Sequence, residues 1–271
     1  FDSDIASSAS IEGIVAGNTG LIEEVAETWT AGIVLQPRFA PDLTITIDWY
    51  DIRLSDAVRT PTLTETAEFC VDSPDLNNVF CDSVDRASGT AFVNGFVLGP
   101  QNVAFLETAG ADLTANYTFE PSAKYGTFFL SATLGYLDKL EFLPANGGIV
   151  DDDRGEIGSP EWTGVADLTW QKDNFTLNYG LQYIGAQLRF ENDVIAGDPD
   201  VAAPEFLELD SRLVHDLRFE YTTNDERLRL FVGANNFTDE LPDRGLDSAP
   251  TGFLGRYYYA GVRFNTDSLG F

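Results

Sequence analysis

The chain has 271 residues, with 44 acidic and 16 basic side chains that give a net charge of −28. This acidity argues against a nucleic-acid partner, because nucleic-acid binders need a basic surface. The mean hydropathy is −0.11, and no run approaches the roughly 18 uncharged apolar residues of a membrane helix. Any membrane crossing must therefore use β-strands, since only helices and closed barrels satisfy their backbone hydrogen bonds in lipid.

Apolar and polar residues alternate along nine stretches of the chain. Apolar residues take every second position from Trp162 to Trp170, and the pattern restarts at Phe175 and runs to Tyr183. A period of two, with one apolar and one polar face, predicts a β-strand between two different media. The predicted strands are Glu24–Gln36, Leu43–Leu54, Val103–Phe119, Gly126–Phe142, Pro160–Gln171, Phe175–Phe190, Phe206–Tyr221, Leu228–Asn236 and Gly255–Asn265. Together they predict an all-β transmembrane antiparallel barrel.

The connections between the predicted strands alternate between short turns and long loops. The long, polar loops lie at about 55–102, 143–159, 191–205 and 237–254. In bacterial barrels short turns are periplasmic and long loops extracellular, and complete barrels have an even strand count. We therefore expect residues 1–271 to form the C-terminal portion of a larger barrel. The lack of Met and of a signal peptide fits a processed or partial product.

Strand length and aromatic ends favour this barrel over a soluble β-sandwich, whose strands are usually near five or six residues long. A lower aromatic girdle is predicted from Phe119, Trp170, Phe175, Tyr221 and Phe264. The residues predicted to face lipid are Trp162, Leu168, Trp170, Leu177, Tyr179, Leu181, Leu213, Leu217, Phe219, Tyr258 and Val262. Those predicted to face the lumen include Asp48, Asp112, Asn116, Asp167, Asn178, Asp216, Arg218, Glu220, Arg229 and Arg263, with Glu220 opposite Arg229 as a cross-strand ion pair.

Few residues suggest covalent, metal or catalytic chemistry. Cys70 and Cys81 lie in one polar loop, and two cysteines that close a short loop outside the cytoplasm predict a disulfide. Asp151, Asp152 and Asp153 are weak candidates for a Ca²⁺ site; a solvated acidic loop is the alternative. The single histidine, His215, falls on the outward side of its strand. We therefore predict no catalytic residue, no cofactor and no enzyme activity, because acid–base catalysis usually needs His or a tuned carboxylate pair in a cleft.

Several segments together resemble the C-terminal part of TonB-dependent outer-membrane receptors. Gly17-Asn18 with Leu21 and Glu24 resembles that family's Gly-Asn-Pro-x-Leu-x-Pro-Glu stretch, although Thr19 and Glu23 replace its prolines. LETAGADLTANYTF, LRLFVGANNFTDELP and GRYYYAGVRF are similar to three later strands of the family, and they occur in the same order. The resemblance covers residues 17–265.

The resemblance implies a plugged barrel of 22 strands, of which these nine would be the last. It implies import of a scarce nutrient, such as an iron chelate, an oligosaccharide or a peptide, with inner-membrane energy delivered by TonB. The expected partners are outer-membrane lipid and lipopolysaccharide, an N-terminal plug and the remaining barrel strands, TonB through the plug, and a small ligand. The alternatives are a passive porin and a structural or adhesive barrel in the Gram-negative outer membrane.

Overall fold

Nine long β-strands form the main sheet of the computed structural model, which describes residues 12–86, 93–144, 149–241 and 255–265. We number these strands in chain order. They are β1 (Val25–Leu35), β2 (Leu43–Ser55), β3 (Phe105–Phe119), β4 (Thr127–Leu143), β5 (Trp162–Lys172), β6 (Phe175–Ile184), β7 (Arg212–Thr222), β8 (Leu228–Asn235) and β9 (Tyr257–Phe264). Each of the nine predicted strands is confirmed.

The sheet is an up-and-down meander. Every long strand is hydrogen-bonded to its neighbours in the chain, so the order runs from β9 to β1 without a crossover. A tenth, two-residue strand, Asp151–Asp152, pairs with β4. The pairings from β4 to β9 are antiparallel over most of each strand. This is the connection pattern of outer-membrane barrel walls.

Two predicted strands extend well beyond the observed ones, whereas the other bounds differ by at most two residues. β6 was expected to reach Phe190 but ends at Ile184, and β7 was expected to start at Phe206 but starts at Arg212. The alternation continues beyond the wall because Gln187–Leu188 and Glu208–Leu209 form a small hairpin of their own. A period of two therefore identifies both pieces as strand but does not show where the chain leaves the main sheet.

The chain divides into two compact units. The first comprises residues 1–28, 52–108 and 141–152, and the second comprises residues 29–51, 109–140 and 153–271. In the first unit, helices α1 (Leu63–Asp72) and α2 (Val79–Asp82) accompany short strands. Glu12–Val15, Val84–Arg86 and Val93–Leu98 make a three-stranded sheet, and Val58–Arg59 pairs with Gln101–Asn102.

A small apolar core holds the helices of the first unit. The rings of Phe69 and Phe80 meet edge to face at 5.2 Å, and Phe69 lies 5.5 Å from Phe142. These three residues are buried together with Ala57, Cys70 and Val103. The predicted loop at 55–102 therefore contributes to a folded unit, whose core also includes Val103 and Phe142 from outside the loop, and a polar loop was the wrong prediction for it.

The second unit holds most of the wall and its turns. Asp173 and Glu226 adopt positive φ angles, 50° and 57°, in the turns after β5 and β7. The predicted loop at 191–205 contains helix α3 (Asn192–Gly197) and runs into a 3-10 turn at Pro204–Phe206. Most of the predicted loop at 237–254 lies outside the described residues. None of the helices in the described ranges is long and apolar enough to span a bilayer.

Candidate functional site: the polar face of the sheet

The strand register separates the sheet into a polar and an apolar face. Residues directly opposite each other on neighbouring strands share a face. Asn178 of β6 lies opposite Thr169 and Arg218, and its amide donates a 2.7 Å hydrogen bond to the Thr169 hydroxyl. The next residue, Tyr179, lies opposite Leu168 and Leu217. The predicted alternation is confirmed for these strands.

The same separation extends along the sheet in both directions. On the polar face of β3 and β4, the Ser131 hydroxyl donates a 2.9 Å hydrogen bond to Asn116, and Asp112 borders Gly135. On β9, Arg263 lies opposite Arg229, whereas Val262 lies opposite Leu230. The remaining predicted lipid-facing residues each meet at least one apolar partner in register: Trp162, Trp170, Leu177, Leu181, Leu213, Phe219 and Tyr258.

Carboxylates on the polar face lie beside glycines. Asp167 and Asp216 lie opposite the two sides of Gly180, and Asp48 borders Gly32. The Asp48 carboxylate occupies the space that a side chain at Gly32 would need, and a Cβ added at Gly180 would lie 3.5 Å from both Asp167 and Asp216. Asp48 and Asp167 are exposed, whereas Asp216 accepts a 2.7 Å hydrogen bond from the Asn236 backbone. The face therefore offers charged groups to water or to a polar partner.

Arginines and one glutamate form a cluster near the turn between β7 and β8. Glu220 pairs with Arg218 at 2.6 Å and with Arg229 at 3.8 Å. The predicted Glu220–Arg229 ion pair exists, but the predicted register was wrong: Thr222 lies opposite Arg229, and Glu220 lies opposite Phe231. The pair is diagonal across the two strands.

Two aromatic rings lie on the polar face, where only polar residues were predicted. Phe231 of β8 lies opposite Gly261, and Tyr259 of β9 lies opposite Gly233. A Cβ added to either glycine would approach the facing ring to within 2.4 Å, so each ring occupies the place of a missing side chain. The motif aromatic-x-Gly occurs in both strands, and this repeat is the signal that predicts the arrangement.

The predicted disulfide is confirmed in the first unit. Cys70 of α1 and Cys81 of α2 are bonded, with their Cα atoms 4.6 Å apart. Asn78 caps α2 by accepting from the backbone of Phe80 and Cys81, and it donates to the Cys70 carbonyl. The disulfide and this cap together join the two helices.

Helix α1 begins with a capping box. The Thr62 hydroxyl accepts from the Glu65 backbone N–H, and the Glu65 carboxylate accepts from the Thr62 N–H. Burial favours a higher pKa for the Glu65 carboxyl, but the Thr62 hydrogen bonds and the Arg59 guanidinium outweigh it and hold the pKa below its ordinary value. Arg59 also lies over the Phe142 ring at 4.3 Å, which connects the cap to the core.

The acidic run Asp151 to Asp153 begins beside the loop end of β4. Asp151 and Asp152 form the two-residue strand that pairs with Phe142 and Glu141. The Glu156 carboxylate accepts a 2.7 Å hydrogen bond from the Asn192 backbone. Within the described ranges no three His, Cys, Asp or Glu side chains come together as a metal site. A Ca²⁺ site in this loop remains a prediction without structural support.

His215 and the predicted lower girdle both lie on the apolar face. His215 lies opposite Leu181, and the Tyr179 hydroxyl is 2.6 Å from its Nδ1 atom. At the turn ends of the strands, Phe119 stacks on Phe128 at 4.9 Å, and Phe175 lies 5.2 Å from Tyr221. Trp170 donates through its indole to the Tyr125 carbonyl at 2.6 Å.

The family follows from a comparison with known protein families. Residues 4–237 match the family described as TonB dependent receptor-like, beta-barrel. The chain belongs to the TonB-dependent receptor family. Receptors of this family are β-barrels of the Gram-negative outer membrane and are transporters, not enzymes. The apolar face of the sheet is therefore its lipid face.

Solved receptors share the fold at low sequence identity. An alanine mutant of the ferric enterobactin receptor PfeA from Pseudomonas aeruginosa, in complex with enterobactin, is 16% identical with a TM-score of 0.57. The FrpB iron transporter from Neisseria meningitidis is 13% identical (TM-score 0.57), and the siderophore receptor PirA from Acinetobacter baumannii is 15% identical (TM-score 0.55).

Each of these matches covers 92% of this chain but only 32–33% of the solved receptor. The chain thus spans about a third of their length. No curated protein matches.

Proposed function

We propose that this chain forms the last nine wall strands, with their loops, of a 22-stranded TonB-dependent receptor that imports a scarce nutrient. The observation that carries the proposal is the charged polar face behind a continuous apolar face. Exposed Asp112 and Asp167 and the arginine cluster at Glu220 suit a lumen that holds a polar plug. Outer-membrane lipid and lipopolysaccharide would surround the apolar face, as for other barrels.

Ferric chelates are the first substrate class to test. The solved receptors that share this fold carry enterobactin, iron or siderophore in their names, which supports the choice of probe. Oligosaccharides and peptides are the other classes. The chain would contribute wall and loops to the ligand vestibule, while the plug and TonB would supply the energy coupling.

The test uses the full-length gene in a host that lacks its own iron-chelate receptors. Uptake of ⁵⁵Fe-loaded catecholate and hydroxamate chelates is measured with TonB present and deleted, together with single-channel conductance of the purified protein. We expect uptake that disappears without TonB and a closed channel. A steady open conductance, or uptake that is indifferent to TonB, would assign the protein to the porins instead.

A further inference from the structure

Three arginines lie together at the turn end of the polar face. Arg218 is on β7, Arg229 on β8 and Arg263 on β9, and Arg229 lies directly opposite Arg263. Like charges in directly opposite positions destabilise a pair of strands. The chain has only 16 basic residues against 44 acidic ones, so this concentration of positive charge needs a compensating partner.

The carboxylates nearby compensate only part of that charge. Glu220 is shared between Arg218 and Arg229. Arg227, in the turn, is paired with Asp225 at 3.7 Å. Glu226 lines the same depression as Arg229 and Arg263, which has a volume of about 310 Å³ and is also bordered by Phe264 and Asn265. Arg263 is exposed, and among the described residues it forms no ion pair.

Flat aromatic surface adjoins these arginines. The Arg218 guanidinium lies over the Phe231 ring at 4.5 Å, and the Phe231 and Tyr259 ring centres are 6.3 Å apart. Both rings lie close to the backbone of the neighbouring strand because they face Gly261 and Gly233, which have no side chains. Arginine and aromatic side chains are enriched in protein–protein interfaces. Two aromatic rings beside guanidinium groups are therefore better suited to contact with another protein surface than to contact with bulk water.

We propose that the surface formed by Arg218, Arg229, Arg263, Phe231 and Tyr259 is the docking site for an acidic segment of the plug. This inference rests on the proposed function, because it places a plug in the lumen. Carboxylates of that segment would form charge-assisted hydrogen bonds with Arg229 and Arg263, and such bonds are among the stronger ones in proteins. The exposed carboxylates of Asp48, Asp112 and Asp167 would repel the same segment elsewhere on the face. The charge pattern thus fixes where the segment binds.

Site-specific crosslinking in the full-length protein tests the contact directly. A photoreactive residue, p-benzoylphenylalanine, replaces Arg263 in one variant and its neighbour Val262 in the matched control, since Val262 is on the lipid face and 67% exposed. We expect the probe at position 263 to crosslink to a plug peptide that contains Asp or Glu. The probe at position 262 should give no plug product. A 263 crosslink that maps to a plug peptide without Asp or Glu, or no plug crosslink at all, would overturn the inference.

A second measurement tests the charge itself. The double variant Arg229→Gln/Arg263→Gln should release the plug more readily, with about a tenfold rise in the frequency of open-channel events for each charge-assisted hydrogen bond that the substitutions remove. Arg256→Gln, just before the start of β9 and so at the opposite end from Arg263, is the control because it removes an arginine that is paired with Asp239 away from this surface. Heat-modifiable migration confirms that each variant forms its barrel.

The outcomes separate the two proposals. If the wild-type protein is closed and depends on TonB, but the double variant leaks no more than Arg256→Gln, the docking site is wrong and the proposed function stands. If the wild-type protein itself conducts, or takes up its substrate without TonB, the proposed function is wrong and the docking inference falls with it.

Discussion

The Tyr179 hydroxyl lies 2.6 Å from Nδ1 of His215, on the lipid face of neighbouring strands β6 and β7. Each side chain gives the other a hydrogen-bond partner where lipid offers none. The centre of the Phe237 ring lies 5.6 Å from that of the imidazole and 6.5 Å from that of the Tyr179 ring. Two polar groups on an apolar face are therefore stabilised as a unit, and neither is expected to be stable there alone.

We expect Tyr179→Phe and His215→Leu each to destabilise the full-length barrel by about 1–3 kcal/mol, because each leaves an unpaired polar group in lipid. The double variant should cost less than the sum of the two, with a coupling of about 0.5–3 kcal/mol. Urea unfolding in lipid vesicles measures these free energies. Tyr183→Phe, which removes a hydroxyl from the same face of β6, should cost little. Fully additive single variants would show that the pair is not coupled.

Gly233→Ala is expected to destabilise the barrel by about 1–3 kcal/mol, because its new methyl group would lie 2.3 Å from the Tyr259 ring. Gly180→Ala is the matched control on the same face, since its nearest neighbours would be 3.5 Å away. Alanine is ordinarily better than glycine in a strand interior by about 0.5–1 kcal/mol. Opposite signs for the two substitutions, measured as shifts of the urea midpoint, are the expected result. A stabilising Gly233→Ala would contradict the packing of Tyr259.

Removal of the disulfide should loosen the helical pair and leave the wall intact. The double variant Cys70→Ala/Cys81→Ala loses a link across a sequence separation of 11 residues, and we expect opening of α1 and α2 to become easier by about 2–4 kcal/mol. Limited proteolysis measures this as faster cleavage within residues 60–86. The heat-modifiable band of the barrel serves as the control. Cleavage at the wild-type rate would mean that the Phe69–Phe80–Phe142 core suffices by itself.

The N-cap of α1 should weaken in acid. Because the pKa of Glu65 is lowered in the folded protein, its carboxylate stabilises the helix fully above the unfolded value near 4.5, and this contribution is lost as the pH falls through the lower folded value. Hydrogen exchange of residues 63–72, corrected for intrinsic rates, should show reduced protection over that range. Glu65→Gln should lower protection at neutral pH and remove most of the pH dependence. Asp72→Asn, at the other end of the helix, should preserve the pH dependence; if it removes that dependence as well, the cap is not its source.

The wall was predictable because a strand between lipid and water must alternate with a period of two. The lipid-facing set around Trp170 and Leu177 and the polar set around Asp167 and Asn178 follow from that constraint alone. The folded loop was not predicted, since residues such as Phe69 and Phe80 were assigned to a polar connection. The capping box at Thr62 and Glu65 was present in the sequence and marks where α1 begins.

The register of β7 and β8 shows what alternation leaves open. Glu220 was predicted opposite Arg229 but lies opposite Phe231, a difference that keeps both residues on the polar face. The charges of Glu220 and Arg229 attract each other in either arrangement, because long side chains reach diagonally across a pair of strands. Charge and hydropathy therefore predicted the contact but not the alignment.

Phe231 packs over Gly261 of the neighbouring strand, and Tyr259 packs over Gly233. These two contacts determine the register between β8 and β9. A shift of one strand past the other by two residues would leave the same side chains facing lipid. The burial of apolar surface in the membrane therefore does not distinguish the shifted register from the native one. In one direction the shift would bring Phe231 against Tyr259, and in the other against Arg263. Only the native register places each ring opposite a glycine. During insertion these two ring–glycine contacts would select one β8–β9 register among several that bury the same apolar side chains in lipid.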